Sequence, residues 1–163
     1  MSELLSKHAR DEIDHWLKKF PETQKQSALL AALHTVQEEN DGYLTEALMD
    51  AVAEYLGIPP IAVYEVASFY SMYDLKPTGK NKLYVCTNIA CQLRGSDAIM
   101  AQIQKRLKIK PGETSKDGLF TLKDFECLGA CTGAPMMQVN KDYHENLTPE
   151  KVDTLLDKLI GKN

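Results

Sequence analysis

Apolar residues recur at helical spacing through the first 75 residues of the chain. One apolar stripe covers residues 4–20 and ends at Pro21, and a second covers residues 29–36. The sequence NDGY follows the second stripe, and its Gly42 suits the left-handed backbone conformation that often ends a helix. This pattern predicts two amphipathic helices before residue 42.

Capping residues mark two more helices in the same half. Thr45 precedes a third apolar stripe at residues 48–56, and Gly57 follows that stripe directly. Pro60 stands near the start of PPIAVYEVASFYSMY, where the fixed backbone angle of proline favours the first turn of a helix. We therefore predict that residues 1–76 form an N-terminal helical bundle.

The apolar period changes near Asn81. The segments KLYVCT, LFTLKDFEC, MMQVN and DYHEN read as four strands, and Ser96 is placed to cap an amphipathic helix after the first of them. Thr148 and Pro149 open a last helix. The order β-α-β-β-β-α indicates a small mixed sheet with flanking helices in residues 80–163, joined to the bundle by the linker DLKPTGKN. The predicted fold class is α+β.

Composition and charge narrow the function classes. Of the 163 residues, 44% are hydrophobic and 26% are charged, and no apolar run approaches the roughly 18 residues that a membrane span requires. The net charge is −4, and no basic block is interleaved with aromatic residues. We expect a cytoplasmic chain that neither inserts into a membrane nor binds nucleic acid.

Four cysteines carry the candidate chemistry. Cys86 and Cys91 form a C-x4-C pair, and Cys127 and Cys131 form a C-x3-C pair 35 residues later. Each pair falls where a predicted strand ends. If the first two strands are parallel, both loops emerge at the same edge of the sheet, and the four sulfur atoms can converge.

Three chemistries suit such an arrangement. A 2Fe-2S cluster takes four thiolates over a larger volume than one ion, and uneven spacing fits that size. A structural zinc ion remains an alternative because C-x3-C has a common zinc spacing. Thiol chemistry remains a third, although neither pair is the C-x-x-C of thiol oxidoreductases. Gly129 favours the cluster, since a glycine lets backbone amides approach sulfur.

A family resemblance separates these alternatives. The segments CTNIACQLRGS and CLGACTGAPMMQVN, with the helical region from ALLAALHTVQ to ASFYSMY, resemble the thioredoxin-like 2Fe-2S ferredoxin family. Within it they resemble the E subunits of bacterial NADH:quinone oxidoreductase, respiratory complex I. The resemblance implies a thioredoxin-like second domain. It also implies one 2Fe-2S cluster, ligated by Cys86, Cys91, Cys127 and Cys131.

The resemblance also implies a place in a larger enzyme. FMN and NADH would be bound only by a partner, the flavin-bearing NADH-oxidising subunit of F type, with which the cluster exchanges an electron. As part of that complex, this chain would lie peripherally on the inner face of the plasma membrane. Related subunits serve in NAD-dependent hydrogenases and formate dehydrogenases, and a zinc-stabilised adaptor is a further alternative. No catalytic residue is expected on this chain, which has neither a G-x-G-x-x-G after a strand nor a Walker phosphate loop.

Three further groups of residues raise narrower expectations. Arg94 follows Cys91 by three residues; its charge would favour a reduced cluster, and the alternative is an ordinary surface arginine. Of the neighbouring Met136 and Met137, a strand should turn only one into the core. The aromatic residues in EVASFYSMY are expected to pack within the protein or to form part of an interface.

Overall fold

Four α-helices make up the first of two compact units, which meet in sequence between Pro77 and Thr78. The computed structural model describes residues 4–161, so residues 1–3 and 162–163 of the predicted domains lie outside the described residues. The helices are α1 (Lys7–Leu17), α2 (Leu29–Glu39), α3 (Glu46–Leu56) and α4 (Pro60–Phe69), and a 3-10 helix at Glu22–Ala28 precedes α2.

The predicted capping residues bound α3 and α4. The Thr45 hydroxyl accepts a hydrogen bond from the Leu48 N–H at 3.2 Å, which satisfies one of the unpaired donors of the first turn. Gly57 ends α3 with a φ of 66°, in the left-handed region that glycine adopts without strain. Pro60 is the first residue of α4, as expected.

The first helix begins later than its apolar stripe suggests. Ser6 is the N-cap of α1, and its hydroxyl accepts from the Ala9 N–H at 2.9 Å. Leu5 is buried in the core of the unit although it precedes the helix, so its position in the stripe reflects packing rather than helical structure.

A single apolar core holds the helical unit together. Gln37 on α2 ties in the segment that follows α4, because its amide donates to the Met72 carbonyl oxygen and accepts from the Asp74 N–H. The buried core residues come from all four helices and their connections: Leu5, Ala9, Ile13, Ala28, Leu29, Ala32, Leu33, Val36, Leu44, Met49, Ala51, Val52, Ala53, Leu56, Val63, Ala67 and Tyr73.

The second unit is built on a four-stranded mixed sheet. Its strands lie in the order β2-β1-β3-β4, with β1 parallel to β2 and antiparallel to β3, and β3 antiparallel to β4. The elements are β1 (Asn81–Cys86), α5 (Ile89–Leu93), α6 (Ser96–Leu107), β2 (Phe120–Phe125), β3 (Met137–Val139), β4 (Asp142–His144) and α7 (Pro149–Ile160).

Helices α6 and α7 cover the sheet and are joined to each other by polar side chains. Gln102 and Arg106 of α6 contact Asp153 of α7, and Arg106 also pairs with Asp157. Beneath them the apolar core combines strand and helix residues: Leu83, Val85, Ile99, Ile103, Ile109, Phe120, Leu122, Met137, Val139, Leu147, Val152 and Leu156.

The start of α6 differs from the prediction. Gly95, with a φ of 97°, is the N-cap, and Ser96 is the first helical residue rather than the cap. The Ser96 hydroxyl is buried and has no hydrogen-bond partner within residues 4–161. The chain turns at Gly95 after the short helix α5, so Ser96 already lies inside α6, where its side chain is buried.

Candidate metal centre

All four cysteines lie at one edge of the sheet, beyond the carboxyl ends of β1 and β2. Cys86 is the last residue of β1 and stands opposite Phe125, the last residue of β2. Cys91 lies in α5, and Cys127 follows β2 by two residues. Strands β1 and β2 are parallel, which is the condition for the two cysteine loops to meet, and both loops lie at the same sheet edge.

The two pairs differ in burial. Cys86 and Cys91 are 2% and 1% exposed, whereas Cys127 and Cys131 are exposed to solvent. None of the four, all of which are described residues, takes part in a disulfide. The site therefore has a buried side with two thiols and a solvent-exposed side with the other two.

Hydrogen bonds converge on the sulfur of Cys86. Burial alone would raise the pKa of this thiol, but the backbone N–H groups of Asn88 and Leu128 donate to it, and the thiols of Cys91 and Cys127 add further hydrogen bonds. The combined effect lowers the pKa of Cys86 and favours its thiolate. Asn88 comes from the first cysteine loop and Leu128 from the second.

Cys91 behaves in the opposite way. Burial raises its pKa to about 11, and its hydrogen bond to Cys86 and the charges of Cys86 and Cys131 act in the same direction. The Met136 N–H donates a hydrogen bond to Cys91, which lowers the pKa and so partly offsets this rise. Since Cys86 interacts with Cys91 and Cys127, and Cys91 with Cys131, the four predicted ligands belong to one connected group.

The backbone of the second cysteine loop takes a left-handed conformation at Gly129. Gly129 has a φ of 75°, which residues with a side chain rarely adopt. This turn follows the Leu128 N–H that reaches Cys86. A Cβ atom added to Gly129 would meet no atom within 4 Å, so the glycine permits the turn through its backbone conformation and not by leaving space for a donor. The donor to Cys86 is the N–H of its neighbour, Leu128.

The donor set is chemically suited to a 2Fe-2S cluster. Within residues 4–161 no three His, Cys, Asp or Glu side chains are grouped so as to hold a single metal ion. A 2Fe-2S cluster makes a different demand, because its four thiolates are shared between two irons. Four neighbouring thiols with N–H donors aimed at sulfur meet that demand, and such hydrogen bonds are among the factors that set a cluster's reduction potential.

Sequence comparison decides the family. The sequence model that describes the thioredoxin-like [2Fe-2S] ferredoxins matches residues 13–160. The chain belongs to this family. The resemblance drawn from the cysteine segments is thereby confirmed.

Relatives within the family match most of the chain. The E subunit of NADH-quinone oxidoreductase from Rickettsia bellii is 48% identical over 143 residues, which are 88% of this chain and 86% of that protein. Its counterpart of the same name from Rickettsia conorii is 47% identical over 143 residues. The mitochondrial NADH dehydrogenase [ubiquinone] flavoprotein 2 of Dictyostelium discoideum is 44% identical over 147 residues, 90% of this chain and 60% of that protein.

Solved structures agree on the fold. An NAD+-reducing [NiFe]-hydrogenase in the H2-reduced state superimposes with a TM-score of 0.72 over 83% of this chain, at 21% identity. The match spans 22% of the hydrogenase chain. The predicted class, an N-terminal helical bundle followed by a thioredoxin-like domain with a mixed sheet and flanking helices, is confirmed. None of the helices in residues 4–161 is both long and apolar enough to cross a membrane.

The methionine expectation is wrong in one respect, because both side chains are buried. Met137 packs in the core of the sheet, and Met136 packs beside Cys86 and Cys91. Met136 precedes β3, so the alternation of a regular strand does not apply to it. Its carbonyl oxygen also accepts from the Cys86 N–H at 3.2 Å.

Other residues near the site carried no sequence signal. The Tyr143 hydroxyl on β4 donates to the Leu128 carbonyl oxygen at 2.7 Å, and so fixes the peptide segment that serves Cys86. This contact joins positions 15 residues apart, and only the strand order brings them together. Arg94 is exposed and ends α5, and its effect on a cluster stays a prediction.

Proposed function

We propose that this chain is an electron-transfer subunit of an NADH-quinone oxidoreductase and holds one 2Fe-2S cluster through Cys86, Cys91, Cys127 and Cys131. One observation carries the proposal: four interacting thiols, with N–H donors from both loops, at one sheet edge in a chain of this family. When bound, such a cluster supplies one-electron oxidation and reduction.

The side chains and backbone of the site have separate tasks in this proposal. The four thiolates ligate iron, and the N–H groups of Asn88, Leu128 and Met136 stabilise their negative charge. Burial of Cys86 and Cys91 keeps water from the inner side of the site. Exposure of Cys127 and Cys131 leaves the outer side open to a partner.

Each of the two units exposes apolar side chains that suit a protein partner. Ile89 and Leu93 are four residues apart on α5, which brings them to one face of the helix, and they are 63% and 80% exposed. In the helical unit Phe69 is 80% exposed, and its ring lies 5.1 Å from that of Tyr70 in an edge-to-face arrangement. Exposed apolar side chains of this kind commonly mark interaction surfaces.

The proposed partner is a flavin-bearing NADH-oxidising subunit, whose FMN exchanges one electron with the cluster. This assignment rests on the relatives named as E subunits of NADH-quinone oxidoreductase, the first of which matches over 86% of its own length. The complex would sit on the cytoplasmic side of the plasma membrane. An equivalent subunit of an NAD-dependent hydrogenase or formate dehydrogenase is the second candidate, favoured by the hydrogenase likeness in fold. Isolation of the native complex, with identification of the subunits that co-purify, distinguishes the two.

The metal content of the purified chain tests the cofactor directly. We expect two irons and two acid-labile sulfides per chain, and a red-brown colour that dithionite bleaches. Replacing any one of the four cysteines by alanine should abolish the cluster or greatly weaken it. Thr132→Ala, a change at the exposed residue after Cys131, is the matched control and should keep the cluster. About one zinc per chain without sulfide would refute the proposal.

Thiol oxidoreductase activity offers a second test. Iron-bound thiolates are not available for disulfide exchange, and neither cysteine pair has the spacing of an attacking and a resolving thiol. The purified chain should therefore not reduce insulin. Reduction at the rate of a thioredoxin would favour the thiol alternative instead.

A further inference from the structure

Glu145 places a carboxyl group against the second cysteine loop. Gly133 lies two residues beyond Cys131, and a Cβ atom added to it would overlap the Glu145 side chain, whose Cγ lies 2.6 Å from that position. Successive Cα atoms are 3.8 Å apart, so the Cα of Cys131 is within about 8 Å of that of Gly133. The glutamate therefore lies close to one of the proposed ligands.

Backbone hydrogen bonds fix this placement. The Asn146 N–H donates to the Gly133 carbonyl oxygen at 2.6 Å, and the Leu147 N–H donates to the Pro135 carbonyl oxygen at 2.9 Å. Both donors directly follow Glu145 in sequence. The segment after β4 is thus bonded along the cysteine loop, and these bonds hold the backbone of Glu145 beside that loop.

We propose that the negative charge of Glu145 lowers the reduction potential of the cluster. Glu145 carries an exposed carboxylate. Reduction adds one negative charge to the site, and a fixed negative charge nearby opposes that addition. Within residues 4–161 no basic side chain forms an ion pair with Glu145. The nearby Lys151 ammonium is instead held by the carbonyl oxygen of Asn146, to which it donates at 2.8 Å.

The inference rests on the proposed cluster, and the first measurement separates the two. The wild-type full chain is purified anaerobically, and its iron, sulfide and EPR signal are determined. An absence of cluster in the wild type defeats the proposed function itself. With the cluster present, the midpoint potential of wild type and variants is measured by redox-titrated EPR.

Glu145→Gln removes the charge and keeps the shape of the side chain. We expect Glu145→Gln to contain as much cluster as the wild type. Its midpoint potential should be higher, so that reduction is favoured threefold to tenfold more, which is about 30 to 60 mV for one electron. Glu145→Asp keeps a negative charge and should restore most of the wild-type potential. Raising the salt concentration should narrow the gap between wild type and Glu145→Gln, because salt screens an exposed charge.

Glu113→Gln is the matched control for the loss of one exposed carboxylate. The Glu113 carbonyl oxygen accepts from the Leu122 N–H of β2, five residues before Cys127. At about 3.3 Å per residue that is roughly 16 Å along the strand direction, beyond the screening length of about 8 to 10 Å. Its potential should match wild type.

Two results would overturn the inference. One is a Glu145→Gln potential no different from that of Glu113→Gln. The other is loss of the cluster in both Glu145→Gln and Glu145→Asp, which would make the residue structural rather than electrostatic.

Discussion

Tyr73 shows how one buried hydroxyl ties the stability of the helical unit to pH. Its hydroxyl donates to the Leu30 carbonyl oxygen at 2.8 Å, and burial is the main cause that raises the pKa of Tyr73 to about 12. The ordinary value is 10, so between pH 10 and pH 12 the folded state holds a proton that the unfolded state has lost. We expect the free energy of unfolding to fall by roughly 2 to 3 kcal/mol across that range.

Tyr73→Phe isolates this contribution. The variant should be less stable at pH 8 by about 1 kcal/mol, because the hydrogen bond is lost, and should show a smaller decline above pH 10. Trp16, the one tryptophan of the chain, packs against the core of the helical unit, so its fluorescence reports urea unfolding of that unit. Equal declines in wild type and variant would contradict the expectation.

The site residues divide into those with a sequence signal and those without one. The four cysteines could be predicted because their spacing and the strand ends are local features. Tyr143 and Glu145 could not, since they reach the second cysteine loop only after β4 has paired with β3. The sequence pattern around a residue does not indicate contacts that form only when distant strands pair.

At the level of elements, β4 braces the second cysteine loop. Tyr143 on this strand holds the Leu128 carbonyl group, while the Leu128 N–H serves Cys86. Tyr143→Phe removes a hydrogen bond worth about 1 kcal/mol. We expect the cluster to be lost about fivefold faster in excess iron chelator, as followed by the decay of visible absorption.

Asp142→Asn provides the comparison for that variant. Asp142 lies on the same strand, is exposed, and pairs with Val139 in the sheet register. Its substitution should leave the decay rate at the wild-type value. A Tyr143→Phe rate equal to that of Asp142→Asn would show that the tyrosine contact does not hold the loop.

Elements with capping residues were predictable, and the shortest helix was not. Thr45, Gly57 and Thr148 bound their helices as the sequence indicates. Helix α5 has only five residues, little more than one turn, and so shows no apolar period. Without α5 the sequence pattern places the cap of α6 at Ser96, whereas in the structure the turn between α5 and α6 makes Gly95 the cap.

At the scale of the whole molecule, each compact unit has an apolar core of its own. The cysteines and their donors all belong to the second unit, so residues 78–163 should assemble a bleachable 2Fe-2S cluster after truncation. We further predict that residues 1–76 supply much of the surface that docks on the proposed flavin subunit, and that the fragment therefore fails to co-purify with it. Iron analysis and a pull-down with the tagged partner measure the two properties.

Each outcome of the truncation has a distinct meaning. A fragment without its cluster would make the helical unit necessary for the stability of the site. A fragment that binds the flavin subunit with full affinity would assign docking to the cluster unit alone.

The parallel pairing of β1 with β2 has a consequence for how the chain can change in length. The stretch between Cys91 and Cys127 consists mainly of α6, the turn region 108–119 and β2, and it only has to return the chain to the same sheet edge. Residues 112–115 of that region are hydrogen-bonded to β2 and Ile109 is buried, so only an insertion at its exposed tip, residues 116–117, should leave all four sulfur atoms in place. One added residue inside β1 would instead turn Cys86 to the opposite face. We therefore expect the interval of 35 residues to tolerate a change in length at that tip, whereas the two short cysteine intervals should tolerate none if their thiols ligate one cluster.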